Sequence, residues 1–132
     1  MKLYLDANSI IYAIESVSPF RDEVINKIKL FESQGGTVIT SILSKLECRV
    51  KPLRDGESNL LAKFDAFFTQ TSVKVVEIDE AIIDKATELR ATYGFKTPDA
   101  IHLATAIKEN SDLFLTGDAS LSRCVEAKVE IL

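Results

Sequence analysis

The sequence predicts an α/β protein: a three-layer α/β/α sandwich built on a mostly parallel sheet of four to five strands. Three observations carry that prediction. Short runs of β-branched and other apolar residues alternate with longer stretches of helical periodicity, the pattern of parallel pairing through right-handed crossovers. The chain has 132 residues, which suits one domain over residues 1–132 and leaves no room for two cores. Hydrophobic residues make up 46% of it, enough for a buried core, and no repeat, low-complexity tract or long linker interrupts them.

The strand runs are Lys2–Asp6, Thr37–Thr40, Val73–Glu77, Asp112–Thr116 and Val129–Leu132. Helical patterns fill the spaces between the first four. Asn8–Glu15 carries Ile10, Ile11 and Ile14 and breaks at Ser18-Pro19. Phe20–Ser33 places Phe20, Val24, Ile28 and Phe31 on one stripe and stops at Gly35-Gly36. Ser41–Leu53 and Glu57–Thr69 form a helical hairpin around Asp55-Gly56. The second arm shows Leu60, Leu61, Phe64, Phe67 and Phe68 at helical spacing, a stripe that suits core packing or a protein contact. Asp79–Tyr93 repeats the pattern with Ile82, Ala86, Leu89 and Tyr93, and Gly94 ends it. Pro98–Lys108 opens with Thr97 as N-cap and Pro98 as first helical residue.

No apolar run approaches the roughly 18 to 20 residues that cross a bilayer. Met1–Leu5 runs into Asp6 too soon for a secretory leader, so a soluble cytoplasmic protein is expected. Cys48 and Cys124 lie far apart and match no metal-ligand spacing; they read as idle or buried thiols. The net charge of −4, from 20 acidic and 16 basic residues, argues against a nonspecific nucleic-acid binder. Any RNA would meet a local basic patch, and cations would have to screen an acidic site.

In doubly wound sheets, ligand sites collect at the carboxyl ends of the strands. Asp6 ends the first strand and Asp118 follows the fourth, so both sit on that rim. Each could equally cap the next helix. Glu47 shares a helical face with Leu43, Leu46 and Val50. A carboxylate on a core-facing stripe has to be paired, protonated or metal-bound; alternatively, the stripe's edge reaches solvent or a basic residue pairs with it. Asp99 begins a helix that is apolar almost all round, with Ala100, Ile101, Leu103, Ala104, Ala106 and Ile107. It suits the helix dipole or a site, and His102, three residues on, is a ligand, a proton shuttle or a hydrogen-bonded core residue.

If these four acids converge, like charge becomes the governing problem. Two carboxylates about 4 Å apart repel by roughly 4 kcal/mol at an effective dielectric near 20. Several such pairs call for a cation, and all-oxygen donors select Mg²⁺ or Mn²⁺ over zinc. One or two such ions could activate water and steady the leaving oxygen of a phosphodiester.

Four segments then carry a resemblance. They are Leu5-Asp6-Ala7-Asn8, Thr40–Glu47, Thr97–Ala106 with Pro98-Asp99-Ala100-Ile101-His102 at its centre, and Leu115-Thr116-Gly117-Asp118. In this order and spacing the chain resembles the PIN-domain family, and within it the VapC-like toxin ribonucleases, over nearly its whole length. The resemblance implies a Mg²⁺- or Mn²⁺-dependent endoribonuclease whose metal-binding acids match Asp6, Glu47, Asp99 and Asp118. Asn8 and Thr116 match positions that orient those acids or the metal's water. It also implies a small cognate antitoxin and a homodimer. The likeness departs at Ser120, where many relatives carry another acid, so one-ion and two-ion catalysis both stay open. A smaller departure is Cys48, where an aliphatic residue usually follows the glutamate. Lys45, Arg49, Lys51 and Arg54 beside Glu47 could cradle an RNA backbone or form a solvated face. Two other readings compete: a catalytically silent PIN-like binding module, and a haloacid dehalogenase-like phosphohydrolase. The second would require an acid shortly after Asp118 and leaves Glu47 unexplained.

Overall fold

A computed structural model describes all residues from Met1 to Leu132. Five strands, β1 (Lys2–Leu5), β2 (Thr37–Ser41), β3 (Val73–Val76), β4 (Leu113–Thr116) and β5 (Val129–Ile131), form one sheet in the order β3-β2-β1-β4-β5. Every pairing is parallel, so the expected mostly parallel sheet is wholly so. Helices α1 (Ala7–Ile14) and α2 (Phe20–Ser33) connect β1 to β2. The hairpin α3 (Leu43–Arg54) and α4 (Ser58–Thr69) leads to β3, and α5 (Glu80–Tyr93) and α6 (Thr97–Lys108) lead to β4. A short 3-10 turn, Ala119–Arg123, links β4 to β5, where the sequence pattern predicts no element.

The period of two along each strand separates two cores. Leu3, Leu5, Val38, Leu113 and Leu115 pack with Ile10, Val24, Phe31, Phe64, Phe67 and Phe68 on one side. Tyr4, Ile39 and Phe114 face Ile82, Leu89, Leu103 and Leu121 on the other. That division is the three-layer sandwich, and it assigns the phenylalanines of α4 to the core.

Two glycines end helices for different reasons. Gly94 takes φ +73 as the C-cap of α5, a conformation that side chains with a Cβ resist. A Cβ on Gly36 would lie 2.7 Å from the Phe31 carbonyl and 2.9 Å from that of Met1, so the turn into β2 has no space for one. The start of α6 differs by one residue from expectation. Lys96 is the extended N-cap, Thr97 is already helical, and Pro98 stands second. No hydrogen bond is lost by this, because the first four helical N–H groups have no partner within the helix.

The apolar stripe on α3 is a correction of greater consequence. Leu46, Val50 and Leu53 are 58%, 50% and 69% exposed, so that face is turned to solvent. The buried face is Ser44, Cys48 and Pro52, small residues that let α3 approach its neighbours closely. Bulk marked the stripe; the fit of small side chains against α1 decided which side was covered.

Candidate functional site

The strand order reverses between β1 and β4, since the chain moves outward in opposite directions from β1, through β2 and through β4. The carboxyl ends of these two strands therefore open the crevice in which α/β proteins bind ligands. Asp6 follows β1 directly and is 7% exposed. Its Oδ1 accepts the Ser9 backbone N–H at 2.9 Å, capping α1. Its Oδ2 accepts the Thr116 hydroxyl at 2.6 Å. The cap and the site are one carboxylate, held at both oxygens by donors that leave lone pairs unused. Ser9 adds a brace by donating its own hydroxyl to the Leu115 carbonyl at 2.9 Å.

Asp6, Glu47 and Asp99 line one cavity of about 150 Å³, together with Asn8, Ile11 and His102. They come from β1, α3 and α6, which the chain separates widely. A larger cleft of about 650 Å³ lies between the end of α1 and the start of α4, lined by Glu15, Glu57, Ser58 and Lys63. No comparable set of acids converges there, so the small cavity is the chemically interesting one.

Glu47 reaches the cavity by a route that its helical stripe did not suggest. Its side chain is 29% exposed, and Oε1 lies 2.6 Å from Nε2 of His102. His102 is buried, and its Nδ1 lies 2.7 Å from the Tyr4 hydroxyl. Asp99 is half-buried in the first turn of α6 and is in no salt bridge. Burial, then the charge of Asp118, and further the charges of Asp6 and Glu47 push its pKa above the ordinary carboxylate value, while His102 opposes them. Burial, reinforced by Glu47 and Asp6, likewise pushes the Cys48 thiol up to about 12.

Asp118 stands apart from the other three. It is exposed and is not among the residues lining the cavity. Its Oδ1 accepts both the hydroxyl and the backbone N–H of Ser120, at 2.7 and 2.9 Å, and these bonds hold its pKa below the usual range. Ser120, at the position of the departure noted above, is thus a donor that draws Asp118 onto the 3-10 turn. The Thr116 hydroxyl still ties the two rims together by accepting the Asp118 N–H at 3.1 Å.

The donor set fits a hard divalent ion. Its oxygens come from carboxylates, no lysine or arginine pairs with Asp6, Glu47 or Asp99, and Asp99 registers the mutual repulsion. No three acidic, histidine or cysteine side chains stand as a ready-made ligand cage in this arrangement. Of the basic residues beside Glu47, Arg49 pairs with Asp65 and Arg54 with Asp55. Lys45 and Lys51 enter no salt bridge. The sequence does not point to Tyr4 or Ser9, and it marks Ser120 only as a missing acid, not as a donor to Asp118. The available signals were the two-residue spacing from Tyr4 to Asp6 along a strand, and from Asp118 to Ser120 in a turn.

Comparison with known proteins now bears on this geometry. A family model for the PIN domain matches residues 3–126. The chain belongs to the PIN-domain family. Among solved structures it is similar to VapBC2 from Rickettsia felis bound to a DNA fragment from their promoter, with TM-score 0.82 and 19% identity, covering 99% of this chain and 98% of that one. It is also similar to VapC20 of Mycobacterium tuberculosis, a sarcin-ricin loop cleaving toxin, with TM-score 0.74 and 17% identity over 96% of this chain and 98% of that one. A toxin–antitoxin complex from Klebsiella pneumoniae matches with TM-score 0.74 and 19% identity over 97% and 95% of the two chains. No curated protein sequence matches. No helix is long and apolar enough to cross a membrane.

Proposed function

We propose that this PIN domain is a divalent-metal-dependent endoribonuclease that hydrolyses RNA phosphodiester bonds and acts as the toxin of a type II toxin–antitoxin pair. The observation that carries the reading is the convergence of Asp6, Glu47 and Asp99 on one small cavity without a lysine or arginine partner. Those three, with Asp118 at the rim, are the residues that would hold one or two Mg²⁺ or Mn²⁺ ions. Bound there, the metal would supply electrostatic activation of water and neutralise charge on the phosphodiester.

The chain's own groups prepare that chemistry. Ser9 and Thr116 fix the Asp6 carboxylate, so it need not reorganise when a cation or phosphate arrives. Asn8, exposed at the cavity, is placed to orient substrate or water. Asp99 holds a proton more tightly than an ordinary aspartate, through burial first and then the charge of Asp118, so a cation in the cavity would favour its ionised, ligating form. Lys45 and Lys51 are the cations open to an RNA backbone; Arg49 and Arg54 join them by exchanging Asp65 and Asp55 for phosphate.

The partners follow from the same reading. Similarity to toxin–antitoxin complexes supports a small antitoxin that silences the enzyme, and a homodimer is proposed on the exposed apolar face of α3. A cytoplasmic location fits an RNA substrate. The competing reading, a catalytically silent PIN-like binding module, draws on the lack of a preformed ligand cage. One experiment separates the two. Purified protein should cleave RNA with Mn²⁺ or Mg²⁺ and stop with EDTA, and Asp6→Asn and Asp99→Asn should each abolish cleavage while remaining folded. EDTA-resistant cleavage, or full activity in both variants, overturns the proposal.

A further inference from the structure

Glu47 has no rigid bed of its own. Its α3 neighbours Leu46 and Val50 are half exposed or more, and the contact that fixes its carboxylate is the 2.6 Å bond to His102. What fixes His102 is therefore what aims Glu47. His102 is 3% exposed, and beyond it stands Tyr4, completely buried in the central strand. Tyr4 is paired with Ile39 on one side and Phe114 on the other. Its ring stacks on Phe114 with centroids 5.0 Å apart and planes 7° from parallel, and meets His102 edge-on. The hydroxyl is thus placed by the central strand of the sheet, paired on both sides.

We propose that Tyr4 is a positioning residue of the acid cavity: its phenol donates to Nδ1 of His102, holds the ring as the Nε2–H tautomer, and so directs an N–H at Oε1 of Glu47. The proton count favours this arrangement. With the proton on Nδ1 instead, Nε2 would set a lone pair against a carboxylate oxygen at 2.6 Å, tolerable only if Glu47 gave up its charge. A phenol carries its proton near neutral pH and can therefore donate it. The rival arrangement puts protons on both ring nitrogens and turns the phenol towards Thr105, whose hydroxyl already donates to the Ile101 carbonyl. In the proposed chain, one oxygen of Glu47 accepts the His102 N–H, and the other remains free to ligate. The ligating half rests on the nuclease reading given above; the tautomer half does not.

His102 is the single histidine of the chain, so the ring-nitrogen spectrum of uniformly ¹⁵N-labelled protein reports this ring alone. Metal-free wild type near neutral pH is expected to show a protonated Nε2 and an unprotonated Nδ1. Tyr4→Phe should lose that single-tautomer signature and bind Mn²⁺ about ten-fold more weakly by calorimetry. His102→Gln keeps an N–H within reach of Glu47 and should stay within about three-fold of wild-type affinity, whereas His102→Leu should fall about ten-fold or more. A protonated Nδ1 in wild type, alone or with Nε2, overturns the proposal. So does a Tyr4→Phe protein with unchanged spectrum and affinity. If Tyr4→Phe does not fold, the wild-type spectrum and the His102 pair decide. If wild type binds no Mn²⁺, the nuclease reading fails and the spectrum still decides the tautomer.

Discussion

Replacing Thr116 with valine removes one oxygen from the seam between the two rims of the cavity and keeps the shape of the side chain. Thr116 is fully buried, donates to Asp6 Oδ2 at 2.6 Å and accepts the Asp118 N–H at 3.1 Å. A hydrogen bond to a charged group contributes about 1.5–3 kcal/mol net. Asp6 is only 7% exposed, so little water can replace the lost donor. The Asp118 N–H lies at the exposed rim and can turn to solvent. The expected loss is about 2–3 kcal/mol. For 132 residues, an unfolding entropy near 2.1 cal/mol/K per residue gives about 0.28 kcal/mol per degree, hence a Tm lower by about 7–11 °C. Urea denaturation at unchanged m-value provides the second measure. Thr116→Ser should recover all but about 1 kcal/mol, the share of a buried methyl group. In an Asp6→Asn background the valine substitution should be milder by about 1 kcal/mol, because the charge that strengthens the bond is gone. A Thr116→Val protein within about 0.5 kcal/mol of wild type, or strict additivity with Asp6→Asn, would refute the reasoning.

Other outcomes follow from the same geometry. The pKa of Asp99 is raised in the folded state, chiefly by burial and Asp118, so the native protein binds that proton more tightly than the unfolded chain does. Stability from this group is then greatest below about pH 3.9 and declines as pH rises through the raised value. Metal-free Asp99→Asn should therefore melt above wild type at neutral pH, and Mn²⁺ should raise the Tm of wild type more than that of the variant; a lower melting point for the metal-free variant counts against the repulsion. Cys48, buried and pushed up to about 12, should resist iodoacetamide in the native protein and react once denatured, as mass spectrometry will read. In protein dilute enough to be monomeric, Leu53→Ser, at a position 69% exposed, should change stability by less than about 0.5 kcal/mol, against about 3–5 kcal/mol for Phe64→Ala in the core. A loss at Leu53 comparable to that at Phe64 under those conditions would mean that the α3 face is covered within the single chain.

The contrast between Leu53 and Phe64 also marks where sequence stops informing. Phe64, Phe67 and Phe68 recur at helical spacing, and large side chains with one periodicity have to be buried somewhere, so α4 was legible. On α3 the same logic chose Leu43, Leu46 and Val50, although the face that packs is Ser44, Cys48 and Pro52. Hydrophobic transfer rewards bulk, whereas close helix approach rewards its absence, and periodicity records only the first. Asp6 and Asp118 were legible as rim residues, and Asp99 as the start of a buried helix, because strand ends and helix starts are themselves legible. How far each turns towards the cavity was not, because that depends on donors one or two residues away. Thr116 pins Asp6 at the cavity, while Ser120 draws Asp118 off it through two bonds to one oxygen. Position along the chain therefore selects which acids can meet, and the neutral donors beside them set which ones do. It follows that exchanging Ser120 for alanine should remove the hydroxyl bond, leave the backbone N–H bond in place, and raise the pKa of Asp118 part of the way towards the ordinary value, loosening its hold on the 3-10 turn without altering any acid.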